Sequence, residues 1–286
     1  MSPVRRGRGQ AFPYLGEEEA FPFPHPDTAD ENGIVCAGGN LSPGLLLSAY
    51  RSGIFPWFSE GEPILWWSPD PRFVLFPPSL HASGTMLRVL RHGIRAGCRA
   101  GQGSSGRGAQ GRGDQGDSAG RRRYELSLDR DFEAVIKSCS ASPRPGQRGT
   151  WITAGMTEAY IELHRLGLAH SAEARLDGRL VGGLYGVSLG SLFFGESMFS
   201  HEDDASKAAF IPLVWRLRDE GFTLVDSQVY TEHLAGLGAR EIPRSEYLRL
   251  LSAGLEAPTR RGNWGELFPG FPDSAEYRRT VSKEQA

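Results

Sequence analysis

The stretch HSAEARLDGRLVGGLYGVSLGSLFFGE, residues 170–196, decides the fold. His170 to Leu176 alternates along a strand, Asp177-Gly178 is the dipeptide of a tight hairpin turn, and Arg179–Val187 and Ser191–Glu196 continue as strands. Upstream the period changes to that of helices. Phe132, Val135, Ile136 and Cys139 recur at i, i+3, i+4, i+7, as do Met156, Ala159, Tyr160 and Leu163, the second helix opened by Thr153 and stopped at Gly167. Downstream, Asp204–Glu220 reads as a helix that Pro212 should kink or whose true start it should mark. Phe222–Val229 follows as a buried strand, then Thr231–Leu237 as a short helix ending at Gly238 and Arg244–Ser252 as another helix. Two helices, a strand meander and then helix–strand–helix over one sheet predict an α+β layer architecture.

Nearer the start, Ser42 reads as an N-cap, Pro43 as a first helical residue, and Gly53 as the stop of a short helix carrying Leu45–Tyr50. From Gly53 to Pro78 the chain is crowded with Phe55, Trp57, Phe58, Trp66, Trp67 and six prolines, which predicts a compact, loop-rich lobe rather than a regular sheet. Gly101–Gly120 holds eight glycines and two apolar residues, Ala109 and Ala119, and is read as a disordered insertion. It contains Gly101-x-Gly103-x-x-Gly106, a formal dinucleotide fingerprint, but no strand precedes it and no helix follows, so it carries no cofactor. The basic run Arg121–Arg123 reads as a solvated face, with RNA contact as the alternative.

Composition narrows the class. A chain of 286 residues with 32 basic and 34 acidic side chains has a formal charge of −2, which excludes a whole-molecule electrostatic grip on nucleic acid. Three scattered cysteines (Cys36, Cys98, Cys139) support neither a disulfide framework nor a zinc ribbon. No apolar run has the length of a signal peptide or a membrane span, so a cytoplasmic protein is expected. Its seven histidines show no metal-ligand spacing, so no metal is expected, and His170, in an alternating strand, reads as a hydrogen-bonded interior residue.

Two constellations could carry chemistry. Gly186-Val-Ser188-Leu-Gly190 is a formal GxSxG followed by Asp226 and His233 in hydrolase order. A nucleophile elbow joins a strand to a helix, however, and here a strand follows, which places Ser188 in a hairpin turn and leaves a serine hydrolase as the alternative reading. The second constellation is polar residues at strand ends. Glu196 closes an apolar strand, and Asp226 and Gln228, two apart, share one strand face while Val225, Ser227 and Val229 share the other. A carboxylate inside such a strand must be hydrogen-bonded, whether it serves catalysis or ties down a loop.

These residues, taken with the N-terminal run, are similar to leucyl/phenylalanyl-tRNA–protein transferases. The motifs are Cys36-Ala-Gly-Gly-Asn-Leu-Ser-Pro43, Ala49-Tyr-Arg-Ser-Gly-Ile-Phe-Pro-Trp-Phe58, Ile64-Leu-Trp-Trp-Ser-Pro-Asp-Pro-Arg72, Gly149-Thr-Trp-Ile152 and Ala169-His-Ser-Ala-Glu173. They continue with Leu180-Val-Gly-Gly-Leu-Tyr-Gly-Val187, Phe194-Gly-Glu-Ser-Met-Phe-Ser200, Asp204-Ala-Ser-Lys207 and Leu237-Gly-Ala-Arg-Glu-Ile-Pro-Arg244. The resemblance implies a small N-terminal lobe (1–72) before a GNAT-like acyltransferase domain (73–255, with the insertion at about 99–122) and a C-terminal tail (256–286). It implies transfer of Leu or Phe, less readily Met, from aminoacyl-tRNA to proteins beginning with Arg or Lys, marking them for N-end-rule degradation. It implies a monomer with no membrane partner and no cofactor, because the tRNA ester is already activated.

Carried onto this sequence, Asp226 and Gln228 are the catalytic pair, with Asp226 orienting Gln228, and Glu196 is a counter-charge to the acceptor; the proton acceptor stays open. Trp57 and Trp151 hold the terminal adenosine of the tRNA, and Leu184, Phe193, Phe210 and Val225 form the donor side-chain pocket. Two positions depart from the family: Asn40 stands where Asp is usual, and Ser227 where Cys is usual, the latter expected to face away from the site. Candidates for contact with the tRNA body are scattered: Arg88, Arg91, Arg95 and Arg121–Arg123. A binding module that holds charged tRNA without chemistry is the non-enzymatic alternative.

Overall fold

The computed structural model describes residues 12–95, 121–142 and 152–281, so Trp151 and the glycine-rich insertion lie outside the described residues. Regular structure opens with strand β1 (Ile34–Ala37) and helix α1 (Pro43–Arg51). Pro43 fills the first helical position, where a missing N–H costs nothing, and Ser42 precedes it in an extended conformation without a side-chain capping bond. Gly53 ends the turn at φ +76°, and a Cβ there would stand 2.7 Å from Leu248 Cδ2.

Where the sequence predicts loops, β2 (Phe55–Pro56) and β3 (Leu65–Trp67) join β1 in a small antiparallel sheet of order β1-β3-β2. Pro56 is tolerated because β2 is an edge strand, which needs no ladder N–H on its open side. Then come β4 (Arg72–Leu75), α2 (Gly84–His92), the short pair β5 (Ile94–Arg95) and β6 (Arg121–Arg122), β7 (Glu125–Leu128), α3 (Phe132–Ala141) and α4 (Ala154–Arg165). The meander is β8 (Ala169–Leu176), β9 (Arg179–Leu189) and β10 (Leu192–Ser200), followed by α5 (Ala205–Asp219) and β11 (Leu224–Gln228). The chain closes with α6 (Glu232–Ala235), β12 (Arg240–Ile242), α7 (Arg244–Leu255), α8 (Trp264–Leu267) and α9 (Ala275–Val281).

Seven strands form one mixed sheet in the order β12-β4-β11-β10-β9-β8-β7. The β8–β9 turn is the expected one: Asp177 (φ +51°) and Gly178 (φ +76°) are both left-handed, as a tight hairpin requires. The β10–β11 pairing is parallel, and every other pairing in this sheet is antiparallel. Successive residues alternate between two cores. Leu192, Phe194 and Leu224 pack with α1, α3, α4 and α7, whereas Phe193 and Val225 pack with α2, α5 and α8. Each large apolar side chain so buried contributes roughly 1.5–3 kcal/mol.

Three expectations are corrected. Ser188 lies inside β9, opposite Phe193 and fully buried, rather than in the turn, which falls at Gly190-Ser191; a strand continues on both sides, so no elbow forms. Helix α5 begins at Ala205 and runs through Pro212, so the proline does not mark its true start. Residues after 255 do not trail from the fold: Trp264 is 0% exposed and stacks on His170 with centroids 3.9 Å apart. His170 is the expected interior residue, its Nδ1 bonded to Asp129 Oδ2 at 2.8 Å. No helix among the described residues is long and apolar enough to cross a membrane.

Candidate active site

β10 and β11 pair only from Leu192 to Phe194 and from Leu224 to Asp226. Just beyond, β10 shifts register against β9 between Gly195 and Ser197, and β11 shifts against β4 between Asp226 and Gln228. Two bulges at one level part the sheet, and a cavity of about 730 Å³ fills the opening. Phe55 of β2 and Trp57 just after that strand line it, Leu184, Phe210 and Val225 give it apolar walls, and Glu196 and Gln228 supply its polar wall.

Asp226 stands behind this wall rather than in it. Its oxygens take Arg72 Nε at 2.9 Å and Arg72 Nη2 at 2.7 Å, Tyr247 Oη at 2.8 Å, and the backbone N–H of Gln228 at 2.9 Å. Both ionic side chains are buried, and the Arg72 guanidinium lies over the rings of Tyr247 and Phe55 at 4.5 and 4.8 Å. Burial opposes the charge on Arg72, but Asp226 and Tyr247 outweigh it and hold the guanidinium above its usual pKa. The ion pair, through the Asp226 carboxylate, fixes the backbone at Gln228.

Gln228 needs that support. Its φ of +66° is left-handed, and the N–H of Val229 closes a three-residue turn on the carbonyl of Ser227 at 2.7 Å, the strained form of the γ-turn. Such a backbone costs about 1–3 kcal/mol. The turn throws Val229 and Tyr230 outward, 38% and 57% exposed, at the cavity edge. The Gln228 side chain donates from Nε2 to Glu196 Oε1 at 2.8 Å, which leaves the amide Oε1 as the acceptor end.

Glu196 also lies within hydrogen-bond distance of Tyr50 Oη (2.7 Å, at Oε1) and Tyr160 Oη (2.9 Å, at Oε2), and the two phenols touch at 2.6 Å. Burial pushes its carboxyl up to about 7 against the pull of these donors. The same burial raises both phenols well above the usual tyrosine range, so they remain proton donors.

The structure thus brings Glu196, Gln228, Trp57, Leu184, Phe210 and Val225 to one cavity. Phe193 does not line it: its ring lies against Trp264 and covers Gly186, so it belongs to the packing of the α5 face. Asp226 orients Gln228 through the backbone, and the side-chain amide is oriented by Glu196. Ser227 lines the cavity instead of facing away, because the bulge interrupts the alternation of the strand. His233 lines it too, its ring held below the ordinary histidine range by burial and then Lys207, but Ser188 does not, so the hydrolase set is not assembled. Asn40 donates to the carbonyls of Phe12 (3.3 Å) and Pro13 (2.9 Å), which an Asp could not do. Arg91 is bonded to the Thr280 carbonyl and Arg122 to Asp177, while Arg72, Tyr50, Tyr160 and Tyr247 are functional neighbours that no local spacing announces.

Two family models match the chain. One, described as leucyl/phenylalanyl-tRNA protein transferase, covers residues 117–252, and one described as the N-terminal domain of that transferase covers residues 39–70. A relative from Anaeromyxobacter dehalogenans (strain 2CP-C) is 50% identical over 250 residues, 87% of this chain and 95% of its own. Relatives from Myxococcus xanthus and Pseudomonas putida KT2440 are each 48% identical, over 88% and 84% of this chain and 95% and 94% of their own. All three carry the name leucyl/phenylalanyl-tRNA–protein transferase.

Proposed function

The chain belongs to the leucyl/phenylalanyl-tRNA–protein transferase family, and from that premise we propose that it moves Leu or Phe, less readily Met, from aminoacyl-tRNA onto proteins beginning with Arg or Lys. The product carries a new N-terminal residue that marks it for degradation, and the reaction belongs to the cytoplasm, where charged tRNA and its acceptors meet. A site built within one chain suits a monomer. The division on this reading runs near residue 72, between the small sheet and the acyltransferase sheet.

The α-amine nitrogen of the acceptor attacks the ester carbonyl carbon of the donor. A C–N bond forms, the bond to the ribose oxygen breaks, and a proton passes from nitrogen to that oxygen. The observation that carries the reading is the amide of Gln228: with Nε2 committed to Glu196, its Oε1 is left at the cavity wall to accept an N–H of the amine. That contact aims the nitrogen lone pair, and positioning of this kind supplies much of the rate of a reaction whose donor is already activated. Arg72 and Asp226 hold the strained turn that presents Gln228. Trp57 stacks on the terminal adenosine, with Trp151 as its counterpart from outside the described residues. Leu184, Phe210 and Val225 receive the donor side chain, and so apolar a pocket separates Leu, Phe and Met by only about 1–3 kcal/mol per methylene.

The test uses purified protein, radiolabelled Leu-tRNA and two acceptor proteins, one beginning with Arg and one with Ala. Label on the Arg protein alone supports the reading. No label with tRNA binding intact overturns it in favour of a binding module.

A further inference from the structure

We propose that Glu196 is a neutral carboxylic acid in the resting protein, closed into a hydrogen-bonded ring with Tyr50 and Tyr160 that positions Gln228; the proposal rests on the transferase reading above. The argument is a count of protons. Three oxygen–oxygen contacts link these residues: Tyr50 to Glu196 Oε1 at 2.7 Å, Tyr160 to Glu196 Oε2 at 2.9 Å, and Tyr50 to Tyr160 at 2.6 Å. Each phenol brings one proton. With Glu196 ionised, two protons serve three contacts, and one pair of oxygens meets lone pair to lone pair in a buried site. With Glu196 protonated, three protons serve three contacts: Oε2 donates to Tyr160, Tyr160 to Tyr50, and Tyr50 to Oε1. Oε1 is then the carbonyl oxygen, and its second lone pair takes Gln228 Nε2 at 2.8 Å. Donors and acceptors in such a ring polarise one another in one direction.

The surroundings agree. Tyr50 faces the carboxyl from α1, Tyr160 from α4, with Tyr185 of β9 packed on its ring, and Gln228 and Asp226 from β11. The charge of Asp226 disfavours a second anion, and Arg72 of β4 is already engaged with Asp226.

The consequence concerns the acceptor. An α-ammonium and a neutral amine can both donate an N–H to Oε1, but only the ammonium needs a counter-charge at the site, and a neutral Glu196 supplies none. The acceptor therefore releases its proton to water before it seats, and the seated form is the nucleophilic one. Glu196 is a positioning residue that acts through Gln228, not a counter-charge.

Infrared difference spectra of wild-type protein minus Glu196→Gln, recorded without tRNA at pH 6, read the protonation state. A carboxylic-acid carbonyl band at pH 6 that disappears as the pH rises through about 7 is expected; carboxylate bands alone at pH 6 overturn the proposal. Transfer kinetics are the second arm. Glu196→Ala is expected to lower kcat about 100-fold through loss of positioning. Glu196→Gln can occupy the same ring, donating to Tyr160 and accepting from Tyr50 and Gln228, and is expected to recover all but about tenfold of that loss. Glu196→Gln as inactive as Glu196→Ala overturns the proposal. Wild-type protein that transfers no label would instead defeat the transferase reading, a result the infrared arm does not depend on.

Discussion

Arg72 and Asp226 stand 154 positions apart in the chain and meet in two hydrogen bonds, Nε to Oδ1 at 2.9 Å and Nη2 to Oδ2 at 2.7 Å, at 1% and 0% side-chain exposure. Removing one partner of a buried pair strands the other charge, which costs about 3–5 kcal/mol. Arg72→Met is therefore expected to lower unfolding stability by that amount in urea at pH 7. A loss below about 1 kcal/mol would mean the pair is hydrated in solution.

Gln228 combines a strained backbone with a functional side chain, and two variants separate them. Gln228→Ala keeps the strain and loses the amide; Gln228→Gly loses the amide and relieves the left-handed φ. Both are expected to reduce kcat about 100-fold, while the glycine variant unfolds roughly 1 kcal/mol later than the alanine one. Equal stabilities would show that the turn relaxes in solution.

Trp57→Ala should act on binding. Loss of a stacking platform costs about 1–3 kcal/mol, so KM for Leu-tRNA is expected to rise about tenfold or more with kcat at saturation largely kept, and Trp57→Phe to recover most of it. A fall in kcat at unchanged KM would deny it the stacking role.

The Glu196 carboxyl links stability to pH with a definite sign. Its folded pKa of about 7 lies above the ordinary 4.5, so the unfolded chain gives up this proton first as pH rises. Stability from this group is present below about 4.5 and is lost as pH rises to about 7, by about 3 kcal/mol in total. Glu196→Gln has no such slope and should gain that much relative to wild type between pH 4 and pH 8, measured by denaturant midpoints. A constant difference across that range would contradict it.

Ser188→Ala should leave transfer intact. The hydroxyl is fully buried and has no hydrogen-bond partner among the described residues, so its removal is expected to be neutral or stabilising by about 1 kcal/mol. Loss of all activity in this variant would revive the hydrolase reading.

What the sequence makes legible is local chemistry. The left-handed Asp177-Gly178 turn, Thr153 capping the N–H of Met156, and the interior His170 follow from neighbours a few residues away. Arg72 as the partner of Asp226, and Tyr50 and Tyr160 as the partners of Glu196, depend on which strands and helices come together, and no spacing encodes that. The placement of Ser227 fails for a different reason: alternation assumes a period of two, and a bulge resets it within one residue. Among the pocket residues that the resemblance implies, Phe193 stays out of the cavity, because its strand face turns it toward Trp264.

Tyr50 and Trp57 lie seven residues apart on one continuous segment, one bonded to Glu196 from behind and the other forming the cavity wall in front. The amino-terminal lobe is thus no interchangeable accessory. A gene fusion that kept residues 73–281 but exchanged residues 1–72 for another module would lose Tyr50, Trp57 and the first residue of β4, Arg72, together. Inheritance must pass these two pieces on as one unit, however separable their sheets look.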